Sequence, residues 1–206
     1  MGRIIDRRRV MGKKGLLPSG YTQVEYIENT STAYINTGVY TVCDHTFELE
    51  TTISWDTLGG RQLNGSDNTQ WIGINGNKWD IGVTAGVVIA GRWYDVRAVV
   101  TKGNGVRQTY IYVDGTLILT TNPLSLPVPR NLQHIFIIGS DRYVVGQGKF
   151  SSYDKKKKWR IIRDGDVIRD YVPCISPTNV VGMYDTVEGQ FYSSPNGVAF
   201  IAGPVV

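Results

Sequence analysis

Apolar and polar residues alternate with period two along much of the chain, the spacing that turns one face of a strand toward a core. The strongest instance is residues 108–120, QTYIYVDGTLILT, in which Asp114-Gly115 stands between two alternating runs. Asp-Gly suits a type I′ turn, which needs positive φ at both central residues and matches the twist of paired strands. Counting outward pairs Val113 with Thr116, Tyr112 with Leu117, Ile111 with Ile118 and Tyr110 with Leu119. Ile111, Val113, Thr116 and Ile118 then share one face, and Tyr110, Tyr112, Leu117 and Leu119 the other. Neither face is polar, so the hairpin is either central and covered on both sides or keeps a tyrosine-lined face for a partner; the covered arrangement is expected.

Further strands are predicted over residues 22–28, 33–39, 45–55, 70–74, 78–83, 86–90, 93–101, 132–139 and 198–202. The run 45–55 puts Phe47, Leu49, Thr51 and Ile53 inward and Glu48, Glu50, Thr52 and Ser54 outward. A second hairpin over 155–172 turns at Asp164-Gly165, with Arg163 opposite Asp166 and Ile162 opposite Val167. A third, within 180–193, has Gly189 as its left-handed residue. Residues 56–68 read as a loop, and 122–130, with Pro123, Pro127 and Pro129, as a crossing loop. Roughly a dozen strands at this spacing, with no helical pattern, predict a sandwich or barrel. The hairpins recur at unequal intervals and are not an internal repeat.

Twelve Tyr, five Trp, five Phe and 24 Gly in 206 residues suit a strand-and-turn protein of one large domain. No 18 consecutive residues are apolar, so no membrane-spanning helix is expected. The first residues lack the apolar stretch of a secretory signal. Charge divides the chain unevenly: residues 1–15 carry +5 of the net +4, leaving −1 for the rest. Residues 1–17 are read as a flexible basic arm and 18–206 as the folded domain. Arg3, Arg7, Arg8, Arg9, Lys13 and Lys14 could order on an acidic protein groove, nucleic acid or an anionic membrane surface, against the plainer reading of a frayed terminus. Cys43 and Cys174 form no disulfide framework and match no zinc spacing; both are expected to be buried thiols, with one bridge between distant strands as the alternative.

Gly91-Arg92-Trp93 before an apolar strand, then Tyr112-Val113-Asp114-Gly115, is similar to the core signature of laminin-G-like or concanavalin A-like jelly-roll domains. The opening Leu17-Pro18-Ser19-Gly20-Tyr21-Thr22-Gln23-Val24-Glu25-Tyr26-Ile27 resembles the version found in virion proteins of tailed phages and in prophages of gut bacteria. So do Arg169-Asp170-Tyr171-Val172-Pro173-Cys174 and Gly182-Met183-Tyr184-Asp185 near the end. The resemblance spans about residues 17–204. It implies an all-β, two-sheet antiparallel jelly-roll sandwich with a structural or binding role and no enzymatic activity, the arm lying outside the shared region.

Candidate chemistry is sparse. Retaining glycoside hydrolases on this fold carry carboxylates in an E-x-D-x-x-E pattern; Glu48 and Glu50 share a face here, but the third carboxylate is missing. They read as solvated glutamates of an outer face. His45 and His134 are far apart, no phosphate loop or nucleophile elbow occurs, and neither a metal site nor a cofactor is expected. Asp67 or Asp141 could offer oxygen to calcium, but no clustered acidic spacing supports it. Lys155 to Lys158, followed by Trp159 and Arg160, reads as a solvated strand lead-in that guards an edge, or as a nucleic-acid contact. Glycan binding has better residue types: Asn64, Asp67 and Asn68 near Trp71, and Asn75 and Asn77 near Trp79, give amides, a carboxylate and aromatic faces.

The expectation drawn from all this is a virion protein, a capsid decoration or appendage subunit of a phage assembled in the host bacterial cytoplasm. Its arm would fasten to the major capsid protein or another particle subunit, with contact to the genome as a further role for the arm and a homo-oligomer allowed. The alternative is a carbohydrate-binding module for host-surface or mucus glycans.

Overall fold

The structure, a computed structural model, describes residues 17–29, 32–41, 45–58, 61–66, 70–80, 84–103, 106–121, 124–125, 133–138 and 153–206. The basic arm before Leu17 lies outside them, as do Cys43, Asp67, Asn68 and Asp141. The described residues contain strands and turns and no helix.

In chain order the strands are β1 (Thr22–Gln23), β2 (Ile27–Glu28), β3 (Ile35–Thr41), β4 (Phe47–Trp55), β5 (Arg61–Ser66) and β6 (Gln70–Asn75). Then come β7 (Lys78–Asp80), β8 (Thr84–Ala85), β9 (Tyr94–Gly103), β10 (Val106–Val113), β11 (Thr116–Thr120) and β12 (Leu124–Ser125). The last six are β13 (Gln133–Ile138), β14 (Asp154–Arg163), β15 (Asp166–Ile175), β16 (Val181–Asp185), β17 (Gln190–Tyr192) and β18 (Ile201–Ala202). One sheet has 12 strands in the order β11-β10-β9-β4-β14-β15-β16-β17, with β1 on β15, β12 on β10, β2 on β14 and β18 on β2. The other has six, β3-β13-β5-β6-β7-β8. Every strand pairing among the described residues is antiparallel, and the expected two-sheet antiparallel sandwich is what they form.

One core lies between the sheets. Phe47, Leu49, Ile53, Trp55, Val96, Ala98, Ile111, Trp159 and Ile161 of the large sheet meet Ile35, Ile72, Ile74 and Trp79 of the small one. The alternation read along 45–55 holds at Phe47, Leu49, Thr51 and Ile53, which are buried, and at Glu48, Glu50 and Thr52, which are not; Ser54 departs from it and is buried.

Both Asp-Gly turns form, with φ of 49° and 80° at Asp114 and Gly115 and 51° and 92° at Asp164 and Gly165. The first two pairs of each hairpin match expectation: Val113 with Thr116, Tyr112 with Leu117, Arg163 with Asp166, Ile162 with Val167. Beyond them one residue of each return strand drops out of register, so Ile111 pairs with Leu119 and Ile161 with Arg169. Ile118 and Ile168 are the bulged residues, and the bulge moves Leu119 into the core in place of Ile118. The first hairpin is not covered on both sides as expected: β11 ends the path of the large sheet, and Leu117 is 47% exposed. Gly189 takes its left-handed place, with φ of 73°.

Four further readings are corrected. The loop over 56–68 contains β5, whose ladder with β6 runs from Arg61–Asn75 to Ser66–Gln70. Residues 86–90 are not a strand, because Gly86 at φ +63° breaks it. The closing strand shrinks to β18, followed by a bridge between Val24 and Val205. The lysine run is no lead-in either: β14 lies between β4 on one side and β15 and β2 on the other, at the middle of the large sheet. A bulge between Lys156 and Lys158 lets Asp154 and Lys156 point inward and Lys158 outward. Lys156 Nζ donates to Asp154 Oδ2 at 2.6 Å, both side chains 0% exposed. Burial lowers the Lys156 pKa below its usual value, against the opposing pull of Asp154.

The opening and closing motifs meet in space. Thr22 pairs with Ile175 and Gln23 with Cys174, while the Tyr21 ring lies 5.2 Å from Tyr184 and 5.7 Å from Phe191. Gly182 is glycine because a Cβ there would stand 2.2 Å from the carbonyl oxygen of Tyr192.

Candidate functional site

Alternation leaves the second face of β10, β9, β4 and β14 to solvent, and strand register lines up its side chains in rows. One row runs Tyr112, Arg97, Glu50, Arg160 and, on β15, Asp170. The next runs Asp95, Thr52 and Lys158. Between them lies a groove of about 430 Å³, bounded by Tyr112 and Gly115 at one end and Lys158 at the other.

The polar groups of this face hold one another in place. Arg97 donates to Glu48 through Nε at 2.7 Å and reaches it through Nη2 at 2.6 Å, with its guanidinium 5.5 Å from the centre of the Tyr112 ring. Glu50 accepts from Lys158 Nζ at 3.3 Å and from Arg160 Nη1 at 3.4 Å. Arg160 Nη2 donates to Asp170 at 2.7 Å, and this bond raises the Arg160 pKa further above its usual value, outweighing partial burial. Thr52 Oγ1 donates to Asp95 Oδ1 at 2.6 Å. Carboxylates that accept, cations with donors to spare and a half-buried phenol ring thus converge on one surface.

Beside the groove, Tyr26 and Trp93 pack with ring centres 5.6 Å apart. Lys157 Nζ sits 4.3 Å from the Trp93 ring centre and donates to Glu25 at 2.5 Å. Lys155 pairs with Asp56 at 2.5 Å, a bond that raises its pKa despite some burial. The predicted lysine cluster is therefore charge-paired throughout, which leaves little free cation for a nucleic-acid backbone.

Of the predicted glycan residues, the structure describes the side chains of Asn75, Asn77 and Trp79. Trp79 is 3% exposed, edge-on to Trp55 at 5.4 Å and to Tyr94 at 5.3 Å; it is a core residue and offers no face to a sugar. Asn75 and Asn77 flank Gly76 in the exposed β6–β7 turn, where the Asn77 carbonyl accepts from Val88 N at 2.8 Å. Asn64 and Trp71 have their backbone in β5 and β6; their side chains lie outside the described residues. So does the side chain of His134. His45 bonds Asp164 at the second hairpin turn. Among the described residues no three His, Cys, Asp or Glu gather as a metal site. Sequence reasoning had Glu48 and Glu50 on an outer face and Tyr112 on a tyrosine-lined one, but not their meeting with Asp95, Arg97 and Lys158. The one available signal was the polar alternation of 48–52 and 95–97.

The fold defines the class: an all-β, two-sheet antiparallel jelly-roll sandwich, with an open polar groove on the outer face of its large sheet. No protein-family model matches the chain, and no curated protein matches it. Among solved structures it is similar to a "putative carbohydrate binding protein" from Bacteroides ovatus, with a TM-score of 0.59 and 15% identity over 88% of this chain. The chain spans 60% of the length of that neighbour. At this identity the likeness speaks for the fold.

Proposed function

We propose that this protein is a non-enzymatic carbohydrate-binding module that holds glycans in the outer-face groove of its large sheet. The observation that carries this is the convergence of Glu50, Asp95, Arg97, Lys158 and Tyr112 on one exposed surface. A sugar hydroxyl both donates and accepts, so it needs carboxylates and cations side by side, and the apolar face of a sugar ring needs an aromatic one. The carbohydrate-binding description of the structural neighbour supports the same reading. Against catalysis stands the Glu48–Glu50 strand itself: Ile53 fills the third carboxylate's position and is fully buried, and Glu50 is shared by Lys158 and Arg160.

Native gels cast with konjac glucomannan, mixed-linkage β-glucan, yeast mannan or mucin test the proposal. The protein should be retarded by at least one of them and release no reducing sugar, and Tyr112→Ala should abolish the retardation without changing the far-UV spectrum. Unretarded migration on every gel, or retardation that survives Tyr112→Ala, would refute it.

A second reading, a phage decoration or appendage subunit, draws support from the opening and closing motifs. Co-purification with phage particles of the full chain, and not of a version lacking residues 1–17, is its expected result.

A further inference from the structure

The length and charge of the groove narrow its ligand, on the reading that it binds glycans. From Tyr112 to Lys158 it crosses four adjacent strands, β10, β9, β4 and β14. Three inter-strand spacings make about 14 Å, longer than a single pyranose ring. Tyr112 and the Arg97 guanidinium beneath it stand at one end. Asp95, Thr52 and Lys158 form the neighbouring row. The Tyr112 end can therefore stack a ring and the Thr52–Lys158 end can read hydroxyls, two unlike subsites along the length of the groove.

Charge decides the kind of ring. The charged residues that line the groove are Glu50, Asp95, Arg97 and Lys158, a formal balance of zero with Glu48, Asp170 and Arg160 at its edges. Each of these cations already has a carboxylate: Arg97 has Glu48, Lys158 has Glu50, and Arg160 has Glu50 and Asp170. A uronate or sulfate would have to displace one of them and would still meet Asp95, so it exchanges one ion pair for another and adds repulsion. A hydroxyl breaks nothing, because an ammonium has three donors and a guanidinium five, more than the existing pairs use.

We infer that the groove takes an uncharged glycan chain of at least two sugar residues, laid across the strands, and discriminates against acidic glycans and single sugars. Titration calorimetry of the full chain tests this with glucose, cellobiose and cellotetraose, with mannose and mannotetraose, and with tetrasaccharides of polygalacturonate and hyaluronan. Affinity should rise at least tenfold from monosaccharide to tetrasaccharide in one neutral series and be at least tenfold weaker for both acidic ones. Tyr112→Ala should remove most of the gain with length, and Asp95→Asn should narrow the gap to the acidic chains. Equal affinity for monosaccharide and tetrasaccharide, or preference for an acidic chain, overturns the inference and leaves glycan binding standing. Binding of none of the probes overturns both.

Discussion

Asp114 and Asp164 do the same work at two places. Each sits in the left-handed region of an Asp-Gly turn, and each ties its hairpin to the start of the adjoining strand: Asp114 N donates to Asp95 O at 2.8 Å, Asp164 N to Thr46 O at 2.9 Å. Their Oδ1 atoms accept from Asp95 N at 3.0 Å and Thr46 N at 2.9 Å, and their Oδ2 atoms meet Arg92 and His45. Asp→Ala at either turn keeps the backbone bond and loses the side-chain ones at a strained φ. Each should cost about 1–2 kcal/mol in urea unfolding, whereas Asp→Asn should cost less. Cys174 gives a pH prediction. Burial pushes its thiol from 9.0 up to about 12, so the unfolded chain ionises first and stability falls as pH rises through that window. The loss approaches about 1.4 kcal/mol per pH unit. Urea midpoints at pH 8 and pH 10 should therefore fall more steeply in wild type than in Cys174→Ala.

At the scale of the element, β14 shows what pattern reading reaches and where it stops. The hairpins were legible because Asp-Gly imposes a turn type, and the turn sets the first two pairs. The bulges at Ile118 and Ile168 were not: Leu117 and Leu119 on either side of Ile118 suit the inner face equally well, and Val167 and Ile168 are adjacent apolar residues of which either can take it. Strand β5 was missed because RQLNGS carries Asn, Gly and Ser where strands usually carry β-branched residues; its ladder to β6 outweighs that propensity. Four consecutive lysines look solvated in any window of sequence. Lys156 goes inward because Asp154, two residues back, shares its face and its burial. Lys156→Met would remove the ammonium that donates to Asp154 Oδ2 inside the core, and should destabilise the fold by about 3 kcal/mol. Adding Asp154→Leu should recover much of that loss in the same chemical-denaturation assay.

Across the whole molecule, the sandwich accounts for the groove. Only the order β10-β9-β4-β14 brings Tyr112, Arg97, Glu50 and Lys158 together from four separate stretches of chain. Of the Trp and Asn residues that drew attention in the sequence, Trp79 fills the core, and Asn75 and Asn77 edge a turn of the small sheet. A sequence alone cannot order strands that pair at such separations, which is why the site lay beyond it. The choice between groove and turn is the direct test of this account. Two-dimensional amide NMR spectra of the full chain, recorded with added cellotetraose and then with mannotetraose, distinguish the two surfaces. The groove predicts that one of these chains shifts the amides of Thr52, Asp95, Arg97, Tyr112 and Lys158 together and leaves Asn75 to Lys78 in place. Shifts confined to Asn75 to Lys78, or no shifts with either chain, would contradict it.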